Sequence, residues 1–542
     1  MPTLHFKGKT FVQNHHLAVK YHQLVPKKEF SLTDKISLHD NLIIQGDNMK
    51  ALKALLPTYS GKIKFINIDP PYNTGNEKWV YNDNVNSPMI NEWLGKIVDK
   101  EDMTRHDKWL CMMMPRLKLL KELLSEDGAI AINIENNEYA HLKLMLDEIF
   151  GESNFVGTFI WRKKEGGGQT KEYFVTEHEY IILYRKSPSF IWIDDTLEGE
   201  DTSFNKEDEL GKYKLVKLAK WGNTSRKEDR PKMHFPIVAP DGEKVIPYAP
   251  DGNLGRWRVG KARMDLLIEN ELVEFRKNND DEWNAYEKIY FEENDIRTIK
   301  ERSILYDLTN TADASKQLTE IFGKKDEFDT PKPLDLVKYF ISHITKDNDI
   351  VLDSFAGSGT TAHGVLEQNK EDNGNRKFIL IEMEDYANSI TAERLRKVIK
   401  GVKKAKSELL KKGTGDSFSY FELGDTIEME SLLRGKNLPS FTEFARYLFY
   451  TATGEEFNEK SINEKTGFIG ESKNYETYLF YKADIEWLKK NALTLELCKG
   501  LPKFKNKQRL IFAPAKYVDD HTLLDYRIDF CQLPYEIYRI QR

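Results

Sequence analysis

The sequence predicts an α/β protein built on a doubly wound, mostly parallel sheet that two separated stretches of chain assemble together. Three observations lead there. From residue 41 to about 190, short apolar runs alternate with helical periods, the pattern of strands joined by crossover helices. The pattern resumes at about residue 329 and continues to about 412. Residues 191–328, between them, are charged, aromatic and without a clear period, which reads as a separate small domain inserted into the sheet-forming chain.

Residues 1–40 read as an N-terminal extension. The expected strands of the first stretch are 41–45 (NLIIQ), 63–68 (IKFINI), 129–134 (AIAINI), 155–161 (FVGTFIW) and 179–184 (EYIILY). Met49, Leu52, Leu55 and Leu56 share one face of a short helix that Pro57 is expected to end, because proline lacks the N–H that another turn needs. A longer helix over 106–124 is expected to kink near Pro115, and Gly128 and Gly151 stand where glycines close helices. The insert opens on an acidic linker, residues 194–210, with eight acids against one lysine. Further on, Asp241-Gly242 and Asp251-Gly252 predict hairpin turns. The second stretch supplies a helix beginning at Pro333, a strand at 349–353, a helix from near Thr360, a strand at 377–382 and a long helix to about 412. Residues 413–542, rich in aromatics and lysine, read as a C-terminal accessory domain.

Length and composition bound the possibilities. A chain of 542 residues has room for several domains of roughly 150 residues each. With 31% charged and 40% hydrophobic residues it is globular rather than disordered. No run approaches the ~18 apolar residues of a spanning helix, and the first residues lack a secretory apolar core, so a cytoplasmic protein without a membrane partner is expected. Cys111, Cys498 and Cys531 form no close pair, and His15, His16 and His22 have no ligand spacing with carboxylates. Neither disulfides nor a metal is expected. The net charge of −6 does not exclude DNA, because phosphate contact needs only one basic stripe.

Two loops carry the chemistry. The first follows strand 349–353 and contains G-x-G-x-x-A: Asp353, Ser354, Phe355, Ala356, Gly357, Ser358, Gly359, Thr360, Thr361, Ala362. Glycines at 357 and 359 permit a sharp turn and a close ligand, while the next helix points its N-terminus at that ligand. Glu382 ends the following strand, where an acid can accept from both ribose hydroxyls. Strand, loop, helix and acid together predict an adenosine-containing cofactor, either a nicotinamide dinucleotide or S-adenosylmethionine.

The second loop, Asp69-Pro70-Pro71-Tyr72, follows strand 63–68. Two prolines remove two backbone donors, leaving a carboxylate and carbonyls in a rigid array. Such an array suits an exocyclic amine: Asp69 accepts one N–H, the Pro70 carbonyl accepts the other, and the Tyr72 ring stacks on the base. Held so, the amine lone pair is drawn out of conjugation and can attack a methyl group in line. Both loops stand at carboxyl ends of parallel strands, so cofactor and base are expected to share one crevice.

On these two motifs the chain resembles the amino-methylating DNA methyltransferases that use S-adenosylmethionine, in their permuted β order. The resemblance spans roughly residues 40–190 and 328–400. It implies a seven-stranded Rossmann-like methyltransferase sheet with its catalytic half at 41–190, a target-recognition domain at 191–328 and a cofactor half at 329–412. It also implies duplex DNA as substrate, reached by base flipping, and DPPY favours adenine N6 over cytosine N4. Asp47 then matches the acid near the cofactor adenine, though it equally suits a helix N-cap. Lys332 and Pro333 match the motif beside the methionine end, and Phe355 would pack on the cofactor. A narrower likeness, through DPPYNTG (69–75), the Gly166-Gly167-Gly168 loop and DSFAGSGTT (353–361), is to modification subunits of type III restriction systems, which implies a homodimer and a helicase-nuclease partner. A cytosine-N4 enzyme, a stand-alone methyltransferase and a nicotinamide-dependent oxidoreductase are the alternatives. For DNA contact, lysine-rich 397–412, basic 499–509, and Arg226, Arg230, Arg256, Trp257 and Arg258 of the insert are candidates.

Overall fold

Apolar runs of four to eight residues, rich in isoleucine, leucine and phenylalanine, become strands buried on both faces of one sheet. A computed structural model describes residues 3–74, 104–166, 173–196, 204–278, 281–290, 298–325, 327–427, 438–503 and 507–533. Its main sheet has ten strands: β1 His22–Pro26, β2 Leu42–Gln45, β3 Ile63–Ile68, β4 Leu124–Ile134, β5 Phe155–Arg162, β6 His178–Arg185, β7 Ile304–Leu305, β8 Ile350–Asp353, β9 Lys377–Glu382 and β10 Ser419–Thr426. Their spatial order is β1-β10-β2-β9-β8-β3-β4-β6-β5-β7. From β10 to β4 all neighbours run parallel, and β6 is antiparallel to both β4 and β5. The expected seven strands are therefore exceeded. β1, β10 and β7 extend the edges, pairing strands that would otherwise expose their backbone.

Side chains alternate across the sheet. Ile66, Ile68 and Leu352 join a core under helices Asn48–Tyr59, Arg105–Leu123 and Asn136–Phe150. Phe65 and Val351 join the opposite core, under Leu334–Ile344, Thr360–Asp372 and Glu393–Lys400. At the centre β8 lies beside β3, with Val351 opposite Phe65 and Leu352 opposite Ile66. β8 leads towards β9 on one side and β3 towards β4 on the other. The loops leaving these two strands diverge and open a crevice between them, as at a topological switch point.

Four local expectations change. Pro57 does not end its helix, which runs to Tyr59: the proline forfeits only its own bond, and the Ser60 N–H still donates to the Leu56 carbonyl at 3.0 Å. Pro115 lies inside one continuous helix, Arg105–Leu123. Gly128 sits within β4 rather than at a helix end, where a Cβ would come within 2.9 Å of the Ile63 carbonyl. The long helix to 412 breaks at Gly401 (φ +91°), where a Cβ would meet the Lys411 carbonyl at 2.5 Å. A separate short helix, Glu408–Lys412, follows.

Residues 194–301 form a compact unit of their own. Strands Lys206–Asp208, Gly211–Lys217, Val273–Lys277 and Trp283–Tyr290 make its antiparallel sheet. Both Asp-Gly pairs turn the chain: Gly242 donates to the Ala239 carbonyl at 2.9 Å and Gly252 to the Ala249 carbonyl at 3.0 Å. Trp257, 1% exposed, belongs to the core of this unit, and buried Arg256 donates to the Thr224 carbonyl. Neither is available to base edges, which corrects that expectation. Arg226 pairs with Asp251 at 2.6 Å, whereas Arg230 and Arg258 are exposed.

Beyond β10, strands Phe468–Glu471, Tyr475–Leu479, Gln508–Ala513 and Ile528–Gln532 build another four-stranded sheet, which shares a core with helix Phe441–Thr453. Among the described residues no helix is long and apolar enough to cross a membrane.

Asn41 clamps the main sheet. Fully buried, it donates from Nδ2 to the Ser417 carbonyl at 2.9 Å and accepts from the Phe378 N–H at 3.0 Å. Asn41→Ala orphans the buried Phe378 N–H and the half-buried Ser417 carbonyl, so chemical denaturation is expected to show a loss on the order of 1–3 kcal/mol.

Candidate active site

The end of β3 delivers Asp69, Pro70, Pro71 and Tyr72 into the crevice. The Pro71 carbonyl accepts from the Trp109 indole at 2.6 Å, which anchors the loop to helix Arg105–Leu123. The sequence suggests an array of acceptors alone, but the carboxylate already has donors of its own. Tyr72 donates its hydroxyl to Asp69 Oδ1 at 2.5 Å and also reaches Glu179 Oε2 at 3.0 Å. Lys332 Nζ lies 2.7 Å from Asp69 Oδ2, 3.3 Å from Glu179 Oε2 and 5.0 Å from the centre of the Tyr72 ring. Lys163 pairs with Glu179 at 3.4 Å and also with Glu135. Three carboxylates are thus interleaved with two ammonium groups.

Burial and charge set the protonation of this network. Burial raises the Asp69 carboxyl; Lys332 opposes the rise and Glu179 adds to it. Burial also pushes Glu179 up, but Lys332 and Lys163 outweigh it and leave this acid below its ordinary value. For Lys332, burial favours the neutral amine and is overcome by Asp69 and Glu179, so the ammonium is held well above its usual range. Burial, reinforced by the same two acids, keeps the Tyr72 phenol protonated.

The neighbouring strand supplies the glycine loop. Gly357 (φ 51°) and Gly359 (φ 80°) adopt left-handed conformations that side chains resist. The loop is held from beneath: Gly357 donates to Glu382 Oε2 at 2.7 Å, and Thr391 donates to the Gly357 carbonyl at 2.6 Å. Arg394, fully buried, donates to Ser358 Oγ at 2.9 Å and Thr360 Oγ1 at 2.8 Å, and burial lowers its guanidinium to about 9. Asp353 accepts from the Phe355 N–H at 3.0 Å and the Thr361 hydroxyl at 2.6 Å, and Asn67 of β3 donates to that hydroxyl at 3.1 Å. Burial drives the Asp353 carboxyl up to about 7; these hydrogen bonds oppose it, and Asp69 and Glu382 nearby add to it.

One cavity of about 580 Å³ joins the two loops. Asp69, Pro70, Pro71 and Tyr72 share its wall with Lys332, Asp353, Phe355, Gly357, Ser358 and Thr360. Four expected residues are not on that wall. Asp47 caps helix Asn48–Tyr59 by accepting from the Lys50 N–H at 2.9 Å and lies 3.8 Å from Arg116. Pro333 is the N-cap of helix Leu334–Ile344, and Gly359 that of helix Thr360–Asp372. Glu382 accepts the Gly357 and Glu384 N–H groups and so braces the loop. Gly75, Gly167, Gly168 and residues 504–506 lie outside the described residues.

Sequence reasoning missed Glu179, Lys163 and Glu135 on the wall and Thr391 and Arg394 behind it. A signal existed for Glu179 alone: an acid at the head of an otherwise apolar strand, buried in the folded chain.

A model described as DNA methylase matches residues 63–393. The chain belongs to this DNA methylase family. It is 33% identical over 418 residues to the type III restriction-modification enzyme EcoPI Mod subunit of Escherichia phage P1, covering 71% of this chain and 64% of that one. It is 34% identical over 356 residues to the type II methyltransferase M.KpnI of Klebsiella pneumoniae, covering 62% and 79%. Among solved structures, PvuII DNA methyltransferase (cytosine-N4-specific) aligns with a TM-score of 0.34 at 13% identity, over 65% of this chain and 86% of that one. The matched region spans less than two thirds of the EcoPI Mod subunit.

Asp353 yields a pH test. Its carboxyl titrates near 7 when folded and near 3.8 when exposed, so between those values the folded chain keeps a proton that the unfolded chain has lost. The stability contributed by this raised acid is present below the lower value and declines as pH rises to the upper one. Urea midpoints of wild type and Asp353→Asn, measured from pH 4 to 8, are expected to diverge over that window, with wild type falling relative to the variant. Parallel curves would contradict the assignment.

Proposed function

We propose that the chain transfers the methyl group of S-adenosylmethionine to an exocyclic amine of duplex DNA, adenine N6, after the base is flipped from the stack. The observation that carries this reading is the single cavity shared by the Asp69–Tyr72 loop and the glycine loop. The cofactor half fits the proposed ligand. Left-handed Gly357 on the cavity wall admits it close to the backbone, and Phe355 offers an apolar face. The Ser354 hydroxyl is buried in this loop with no protein partner. Asp353 and Lys332 are the charged groups proposed to meet its cationic and carboxylate parts. Gly357, Ser358, Gly359 and Thr360 form the cradle, with Glu382 tying the loop, and Asp47 and Pro333 act through the helices they begin.

S-adenosylmethionine would supply an electrophilic methyl carbon. Asp69 and the Pro70 carbonyl accept the two amine hydrogens, which fixes the nitrogen lone pair towards the cofactor side of the cavity. Each carboxylate oxygen has a second lone pair, so Asp69 can accept an amine N–H while Tyr72 and Lys332 still hold it. The Tyr72 ring supplies the stacking face, and Pro71, anchored by Trp109, keeps the loop from yielding. Once the nitrogen carries a fourth bond it becomes acidic, and Asp69, whose carboxyl is already raised, takes the proton or passes it to water. Positioning and preorganised charge carry the acceleration.

The type III Mod relative supports a further step, that this chain is the modification subunit of such a system; we propose with it the homodimer and the helicase-nuclease partner that the resemblance implies. The strand order, with β8 and β9 of the later stretch between β2 and β3 of the earlier one, supports the permuted methyltransferase sheet.

Asp69→Ala tests the central assignment. Methyl transfer is expected to fall by about 10²-fold or more, with S-adenosylhomocysteine affinity unchanged within about 2-fold as read by equilibrium binding. Retained turnover, or tight binding of NADH instead of S-adenosylhomocysteine by wild type, would contradict it.

A further inference from the structure

We propose that His106, Glu138 and His141 form a binding site for one divalent zinc-class ion, which fastens the Asp69–Tyr72 loop through Asn73. Glu138 and His141 are three residues apart on helix Asn136–Phe150 and so share a face. His106 comes from the first turn of helix Arg105–Leu123, which Thr104 and Asp107 hold with a reciprocal cap. Helix packing brings the three together. His106 Nδ1 stands 2.6 Å from Glu138 Oε1 and His141 Nδ1 stands 2.9 Å from Oε2, with the imidazole centres 4.8 Å apart. One ligand atom from each residue lies within 4.8 Å of the other two.

The donor set and its surroundings suit a cation. Two imidazoles and a carboxylate are preferred zinc ligands, and bonds of about 2.0–2.2 Å at tetrahedral angles separate ligand atoms by roughly 3.3–3.5 Å. The two imidazole–carboxylate separations would each open by less than about 1 Å to accept the ion. The Glu138 side chain is fully buried, whereas the imidazoles are 34% and 36% exposed. A buried carboxylate is costly unless paired, and a divalent ion would compensate it without requiring either imidazole to carry a proton. The partly exposed imidazoles would let the ion enter from solvent, with water as its fourth ligand.

The consequence lies at Asn73, the residue after Tyr72. It is buried in a left-handed conformation (φ 59°) and donates from Nδ2 to Glu138 Oε1 at 2.5 Å and to the Arg105 carbonyl at 3.3 Å. This bond orients the carboxylate as outer-shell partners of metal ligands do. Fixing Glu138 would therefore fix the end of the catalytic loop. The site stands on its own geometry and does not depend on which methyl acceptor the cavity takes.

Zinc chloride alone, titrated calorimetrically into the chelator-treated full chain, tests this. Wild type is expected to bind one equivalent, to raise its thermal midpoint when loaded, and with cobalt(II) to show the visible absorption of a four-coordinate site. Glu138→Gln and His141→Gln are each expected to weaken that equivalent at least about 10-fold, and His106→Ala with His141→Ala to remove it. Far-UV circular dichroism and S-adenosylhomocysteine affinity monitor folding. His141→Gln changes one partly exposed side chain and serves as the decisive variant should the double variant not fold. Binding of equal stoichiometry and affinity in wild type and His141→Gln, or no stoichiometric binding in wild type, would overturn the proposal.

Discussion

Lys332 stands between Asp69 and Glu179, and the character of the whole crevice depends on that one ammonium group. Two carboxylates facing one cavity would repel each other and take up protons; a buried cation shared between them keeps one as a firm anion and lets the other ride higher. Glu179 is held down and Asp69 is raised. The second acid is thus both an acceptor and a willing recipient of a proton. Lys332 precedes Pro333, the cap of helix Leu334–Ile344, so the cation is delivered from the second stretch of chain to a carboxylate of the first. The electrostatics require the same assembly that the sheet topology requires.

That assembly rests on one pairing. β8 and β3 are far apart in sequence and adjacent in space, and their successors leave towards opposite edges. Without it, the glycine loop and the proline loop would each end a strand with nothing opposite. Asn67, Thr361 and Asp353 stitch the two strand ends together, and Asn48, held by Arg116, adds a bond from Nδ2 to the Ser354 carbonyl. Asn67, Thr361 and Asp353 thus tie the two strand ends together on the cavity wall itself. Rigid acceptors on one side and a rigid cradle on the other are what an in-line transfer demands.

Much of this was legible in the sequence, for identifiable reasons. Strands β2, β3, β5, β6, β8 and β9 were readable to within a residue or two because uninterrupted apolar runs have few alternatives in an α/β chain. The proline and glycine loops were readable because their chemistry is contiguous. What escaped was whatever tertiary contact decides. Glu179, Lys163 and Arg394 come from a strand head, a strand end and a helix, and no local spacing marks them as neighbours. His106 lies 32 residues from Glu138, so no local spacing marks that pair as neighbours either. Arg256 and Trp257 invited a nucleic-acid reading by composition, yet composition does not say which way a side chain faces, and both are buried. Pro57 and Gly128 look locally like stop signals, yet the first is tolerated in the last turn of a helix and the second permits close strand packing.

The most direct measurement is the identity of the modified nucleoside. The purified chain is incubated with methyl-labelled S-adenosylmethionine and unmodified duplex DNA, and the product is digested and separated. Label in N6-methyldeoxyadenosine is the predicted result. Label in N4-methyldeoxycytidine would overturn the adenine assignment, and label on a ring carbon, or none in DNA, would contradict amine capture by Asp69 and Pro70.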